Sequence, residues 1–232
     1  MTPVGLALPD TDWHVAELYG FARELGANML VANYSRYVVD LNRSASDEEL
    51  YPGQVATGLC PRQTFAGDEI YLSPKADDKE LRNRVARYWR PYHDQLESTL
   101  TAIREKNGYV LLWDAHSISS VVPRLFEGQL PELNIGTDGG RSCSPGLERA
   151  VVAAADSGPY VLVLNGRFQG GFITRHYGDP GRNIHAVQLE IAQRVYMDES
   201  SSVFDTAKAS LLRYTLENML DAFVASAETL NT

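Results

Sequence analysis

The sequence predicts an α/β fold, a mostly parallel sheet covered on both faces. Three observations predict it. Strand-like runs alternate with helix-like runs along the chain. Several of the strand runs, such as "YVLVLNG" (160–166), are apolar throughout, as strands covered on both faces are. The chain has 232 residues, enough for one α/β domain with a sizeable core, and it contains no internal repeat and no composition shift that would mark a linker.

The elements follow in order. Val15, Leu18, Tyr19, Ala22 and Leu25 fall at helical spacing, with Asp10, Thr11 or Asp12 available to cap the start and Gly26 the end, so a helix is expected over 12–25. Residues 29–32 and 37–41 read as short strands. The stretch 43–76 is rich in Pro, Gly, Ser and charge without a period, a long loop of the kind that usually serves function. Ser73-Pro74 signals the start of a charged helix that runs to about Lys106 and ends at Asn107-Gly108, with Pro91 kinking or splitting it. A strand over 109–113 comes next and stops on Asp114-Ala115-His116-Ser117. Residues 123–146 read as a second long loop, 147–155 as a short helix and 160–166 as a strand with a turn. "GGFITRHYG" (170–178) holds a short apolar core between glycines, 185–191 is a strand, and a last helix runs from about Asp205 to Ala227.

Composition excludes some classes of function. The formal net charge of −9 argues against nucleic acid as the main partner, because a phosphate-binding surface needs a basic face. A local basic pocket for a small anion stays open. The two cysteines, Cys60 and Cys143, form no CxxC pair and no disulfide framework, which fits a reducing cytoplasm. No run is long and apolar enough for a membrane span, and "MTPVGLALPDTDW" lacks the regions of a signal peptide. Neither HExxH nor GxSxG occurs, which excludes a helical zincin site and a serine-hydrolase elbow.

The residues able to carry chemistry cluster at strand ends, where open α/β sheets put their sites. His116, with Asp114 beside it, is open to two readings: a metal ligand tuned by its neighbour, or a histidine in a polar turn. Glu190 sits between Leu189 and Ile191. Buried there, its pKa would rise and suit general-base work. Yet Gln188 and Glu190 share one face, and that alternation equally supports a solvent-facing pair. "SRYVVDLNR" (35–43) gathers Arg36, Asp40, Asn42 and Arg43, as a carboxylate-binding group or as a surface ion-pair cluster. Arg175 follows a short apolar run, and Arg141 ends the glycine-rich "GTDGGRSC" (136–143), which does not have the spacing of a phosphate-binding loop. His14, His93 and His185 read as structural histidines.

Taken together, long segments in order resemble the N-formylglutamate amidohydrolase family. They are "DTDWHVAELYGFARELGA" (10–27), "YSRYVVDLNR" (34–43), "GLCPRQTFAGDEIY" (58–71), "YWRPYHDQL" (88–96), "LWDAHSISSVVPRLFEGQLPELNIGTDGGRSCSPGL" (112–147), "NGRFQGGFITRHYG" (165–178) and "HAVQLEIAQRVYMDE" (185–199). The family is similar to zinc carboxypeptidases and aspartoacylases. The resemblance therefore implies a three-layer α/β/α sandwich around a mostly parallel or mixed sheet, as in zinc carboxypeptidases, in one domain over 1–232, one divalent metal, expected to be zinc, and hydrolysis of N-formyl-L-glutamate to L-glutamate and formate in histidine degradation. It implies Asp12 and His116 as metal ligands, Glu190 as the base, and Arg36, Asn42, Arg43, Arg141 and Arg175 as candidates for holding the small-molecule substrate. A deacylase of another N-acyl amino acid, or an inactive remnant that binds acidic amino acids, are the alternatives. Family members usually carry a strand ending in Pro-His-Ser/Thr-Gly upstream of the first helix, whose histidine looks like a third ligand. That segment does not occur in "MTPVGLALPD", so the domain is expected to be N-terminally incomplete, with His14 a poor substitute.

Overall fold

A computed structural model of the chain describes residues 1–48, Gly53, 55–72 and 78–228. Pro3 opens a short helix, α1 (Pro3–Ala7), capped by Thr2, whose hydroxyl accepts from Gly5 N–H at 3.0 Å. The helix expected over 12–25 is broken instead into α2 (Val15–Leu18) and a 3₁₀ turn, Gly20–Arg23. Val15, Leu18, Tyr19 and Ala22 are buried as their spacing requires, but Leu25 is exposed. The cause is tertiary. Asp12 is drawn to the backbone of Ser117, and His14 takes a left-handed conformation (φ 60°) that turns the chain before helix can start.

Residues 29–32 and 37–41 do not form the expected strands. Tyr37 and Val39 are buried in the alternating pattern, but among the described residues no neighbouring strand meets them. Arg84 caps the carbonyls of Tyr37 and Val38 at 3.3 and 3.1 Å, and Asp40 N–H donates to Leu59 O at 2.7 Å. Between 43 and 72 the described residues form no helix or named strand, as expected of that loop. The Ser73-Pro74 start signal lies outside the described residues.

The charged helix divides at its proline. α3 (Asp78–Arg84) passes through a π-helical turn, Val85–Trp89, into α4 (Arg90–Asn107). Pro91 has no N–H to donate and its ring crowds the preceding turn, so the helix widens there rather than breaking. Gly108 (φ 82°) ends it, returning its N–H to Arg104 O at 2.8 Å.

The next strand, β1 (Val110–Ile118), continues past the expected end. His116 therefore lies inside a strand. β2 (Leu133–Gly136) emerges from the segment read as loop. α5 (Pro145–Asp156) and β3 (Leu162–Leu164) follow where expected, and the apolar core of 170–178 is a helix, α6 (Phe172–Tyr177). β4 (Ile184–Ala192), a small hairpin of β5 (Met197–Asp198) and β6 (Val203–Phe204), and the long α7 (Thr206–Ala227) complete the chain. Asp205 caps α7, accepting from Ala207 and Lys208 N–H at 3.1 and 3.0 Å.

The main sheet has the order β1-β4-β2-β3. β1 and β4 are parallel, β2 and β3 are parallel, and β2 runs antiparallel to β4, so the sheet is mixed. One face is apolar. Val187, Leu189 and Ile191 of β4 and Leu133 and Ile135 of β2 pack with Leu147 and Val151 of α5 and Leu212, Leu216, Met219 and Phe223 of α7. Each such side chain contributes about 1.5–3 kcal/mol by its burial. The other face is apolar at its two ends: Val110, Leu112 and Ile184 meet Leu96 and Leu100 of α4 at one, and Ile118 and Ala192 pack with Val122 and Leu130 at the other. Helices on both faces give the three layers. Among the described residues no helix is long and apolar enough to cross a membrane.

His93 of α4 ties that helix to the loop before it. Its ring stacks on Trp89 at 3.8 Å, its Nε2–H donates to Leu41 O at 2.9 Å, and its Nδ1 accepts from the Tyr177 hydroxyl at 2.8 Å. Burial pushes its pKa down to about 4, below the usual histidine value of about 6.5. The unfolded chain therefore binds a proton at this position first, and stability falls as pH drops from about 6.5 to about 4. Thermal melts across that range should show the midpoint falling more steeply in the native protein than in His93→Gln.

Candidate active site

The polar patch in the middle of that face is set by register. Asp114 pairs with Gln188 and His116 with Glu190 across the parallel β1–β4 ladder. All four side chains point to the same face. Gln188 is 3% exposed and Glu190 8%, so the solvent-facing reading of that pair is wrong: Gln188 is bonded to Gly171 at the start of α6, and Glu190 lines a pocket. This pocket opens above His116, Gln188 and Glu190, walled also by Asp12, Arg36, Asn42, Arg43 and Phe65, with Thr57, Arg167 and Phe168 among the rest of its lining.

His116 stands between two carboxylates. Its Nδ1 is 3.3 Å from Asp12 Oδ1 and its Nε2 is 2.9 Å from Asp114 Oδ1. Asp12 also accepts the Ser117 N–H at 2.8 Å, which holds its carboxylate against β1. Burial works against a charged imidazole, but Asp114 and Asp12 outweigh it and keep the His116 pKa well above the ordinary value. Burial would likewise raise Asp12, yet the His116 charge holds it below the usual carboxylate range. Glu190 has the opposite balance. Burial pushes it up to about 8, with His116 pulling down and Asp12 pushing further up. Arg36 is buried too, and Asp40, Asp12 and Glu190 around it keep it charged despite burial. It pairs with Asp40 at 3.4 Å and lies over the Phe65 ring.

Asn42 locks the loop onto this cluster. Its Nδ2 is 3.0 Å from His116 Nε2, and its Oδ1 accepts from Ile173 N–H at 2.8 Å. Phe172 N–H points to Asn42 O at 3.4 Å, and Gly171 N–H donates to Gln188 Oε1 at 2.6 Å. The open N–H groups at the start of α6 are thus met by Asn42 and Gln188 rather than by a local cap. Thr174 Oγ1 donates to Asp114 Oδ2 at 3.2 Å and closes the network. From the outer side, Trp89 Nε1–H donates to Arg43 O at 2.9 Å.

Of the sequence candidates, Asp12, His116, Glu190, Arg36, Asn42 and Arg43 meet at this pocket. Arg141 and Arg175 are not on its wall. Both pair with Asp138, and the Arg141 side chain is 69% exposed. Sequence reading passed over Gln188 and Arg167. The signal for Arg167 was an arginine followed by an aromatic residue in a Gly-flanked loop after a strand, in "NGRFQGG". Among the described residues, no three His, Cys, Asp or Glu side chains converge as a complete metal site.

The family model described as N-formylglutamate amidohydrolase matches residues 2–197. The chain is similar to N-formylglutamate deformylase of Pseudomonas putida, 49% identical over 222 residues, covering 94% of this chain and 83% of that protein. It is similar to N-formylglutamate deformylase of Pseudomonas aeruginosa, 51% identical over 223 residues, covering 92% and 83%. In fold it is similar to the crystal structure of N-formylglutamate amidohydrolase from Ralstonia eutropha JMP134, with a TM-score of 0.80, 23% identity, and coverage of 97% of this chain and 85% of that one.

A close approach makes the site testable through one glycine. A Cβ on Gly171 would overlap the Asn42 carboxamide. Gly171→Ala should displace Asn42, cost about 1–3 kcal/mol of stability, and lower amide hydrolysis by more than the loss of folded protein explains. Thermal melts alongside initial rates check both.

Proposed function

The chain belongs to the N-formylglutamate amidohydrolase family and is an amide hydrolase; from that premise we propose that it cleaves N-formyl-L-glutamate to L-glutamate and formate. The observation that carries this reading is the register pairing of Glu190 with His116 at the foot of a buried pocket that also holds Arg36 and Arg43. The substrate is a dianion beside a neutral amide. A pocket with guanidinium groups on its wall suits the carboxylates, and a buried glutamate suits the amide.

Glu190 is the general base. Water attacks the formyl carbon as Glu190 takes one of its protons. The C–N bond then breaks, and Glu190 returns that proton to the departing nitrogen. A pKa raised by burial to about 8 suits both halves of this exchange, since the group gives its proton up nearly as readily as it takes one. Arg36, next to Glu190 and Asp12, supplies fixed positive charge where the formyl oxygen becomes negative.

Asp12 and His116 are the residues that would hold a divalent cation, zinc by donor type. The fit is good in chemistry. With Nε2–H donated to Asp114, the His116 Nδ1 is left facing Asp12, the arrangement in which a carboxylate orients a metal-binding imidazole. In number it is incomplete, because a catalytic zinc usually takes three protein ligands and the described residues bring two. Bound there, the cation would acidify water and polarise the formyl group.

Formate release from N-formyl-L-glutamate by the purified chain is the direct test, and no release would sink the assignment. Glu190→Gln, folded normally by circular dichroism, should lose about 10²–10⁴-fold in kcat. Separately, equilibrium dialysis against zinc should load the native chain, and His116→Ala and Asp12→Ala should each take up less. Equal zinc in all three would remove these two residues as ligands.

A further inference from the structure

Two arginines grip one short stretch of the loop from different sides. Arg43 Nε donates to Thr57 O at 2.7 Å, with its Nη2 3.4 Å from Thr57 Oγ1 and its Nη1 donating to Asn42 O at 2.8 Å. Arg167 Nη2 donates to Val55 O at 3.0 Å and its Nε to Leu125 O at 2.8 Å, while its guanidinium lies 5.4 Å from the centre of the Phe168 ring. Both line the pocket above Glu190. Val55 and Thr57 are two residues apart, so their carbonyls are separated by at most about 7 Å. The two guanidinium groups are therefore fixed by one short stretch of backbone on the wall of one pocket, where a diacid with three carbons between its carboxylates would meet both.

The two are not equivalent. Arg43 follows Asn42, whose Nδ2 is 3.0 Å from His116 Nε2, so it belongs to the reacting end. Arg167 is anchored to Leu125 and lies beside Phe168, which packs with Phe126 in the apolar cluster around Ile118 and Leu130. In an N-acylglutamate the α-carboxylate is one carbon from the scissile nitrogen, and the side-chain carboxylate is three carbons from it. We propose that Arg167 is the specificity residue of this pocket, binding the side-chain carboxylate, while Arg43 binds the α-carboxylate. This rests on the substrate class proposed above, and it explains preference for an acidic side chain. Arginine suits the task, since its planar fork can bind a carboxylate through two hydrogen bonds while stacked on an aromatic ring.

Product binding tests this without any turnover. L-Glutamate and L-glutamine differ only in the side-chain carboxylate, and calorimetric Kd values for the two should favour L-glutamate in the native protein. Arg167→Met should abolish that preference, a change of about 10- to 100-fold in the Kd ratio, while L-glutamine binding stays within about threefold. Arg167→Lys keeps the charge without the fork and should retain part of the preference. It also serves as the reading if Arg167→Met does not fold. A native protein that binds both amino acids equally overturns the proposal, as does a preference that survives unchanged in either variant. Failure to hydrolyse N-formyl-L-glutamate would instead strike the proposed reaction and leave the binding comparison to decide Arg167.

Discussion

Nine consecutive residue pairs hold β1 to β4, from Val110 with Ile184 to Ile118 with Ala192. This register is the constraint on which the rest of the molecule depends. Side chains in a strand alternate between faces, so a slip of one residue would send Asp114 and His116 into the apolar layer under α5 and α7. The same slip would bring Trp113 and Ala115 to the pocket. The apolar packing of Val187, Leu189 and Ile191 against α7 therefore decides where the imidazole and the carboxylate point. Stability and chemistry share one set of hydrogen bonds.

The polar half of the sheet would be costly to bury without partners. Asp114, Gln188, Asn42 and Thr174 meet that cost among themselves and with the start of α6. Through Asn42 this network reaches the loop that carries Arg43, and through His93 and Trp89 the same loop is fastened to α4. Arg36 and Glu190 depend on it as well. Their charges are balanced by carboxylates and cations that lie on different elements, so the electrostatics of the pocket exist only once the layers are assembled.

Much of this was legible from residue order. The apolar runs around Val187 and Val163 mark strands, Asp205 marks a helix start, and Pro91 and Gly108 mark the irregular turn and the end of the charged helix. The failures share a cause. The helical spacing of 12–25 is real and its residues are buried, but Asp12 is held by Ser117, 105 positions away in the chain, and the helix gives way. Residues 37–41 alternate like a strand, but Arg84 takes the carbonyls a neighbour would have used. β2 is only four residues long and lies between glycine- and proline-rich segments, so its pattern is too short to stand out.

Sequence by itself determined the layered α/β class, the identity of the chemical groups, and the family, because these depend on local periodicity and on long ordered motifs. It brought Asp12, His116, Glu190 and the first arginines into consideration. Only the tertiary structure decided which of them meet. Arg141 and Arg175 look as suitable in sequence as Arg43, yet Asp138 engages both away from the pocket, while Arg167 lines it. Burial of Glu190 was equally undecidable from alternation, since a polar pair on one strand face reads the same whether water or another layer covers it. The physical reason is that a pocket is made by contacts across more than a hundred residues of chain, and those contacts leave no period in the sequence.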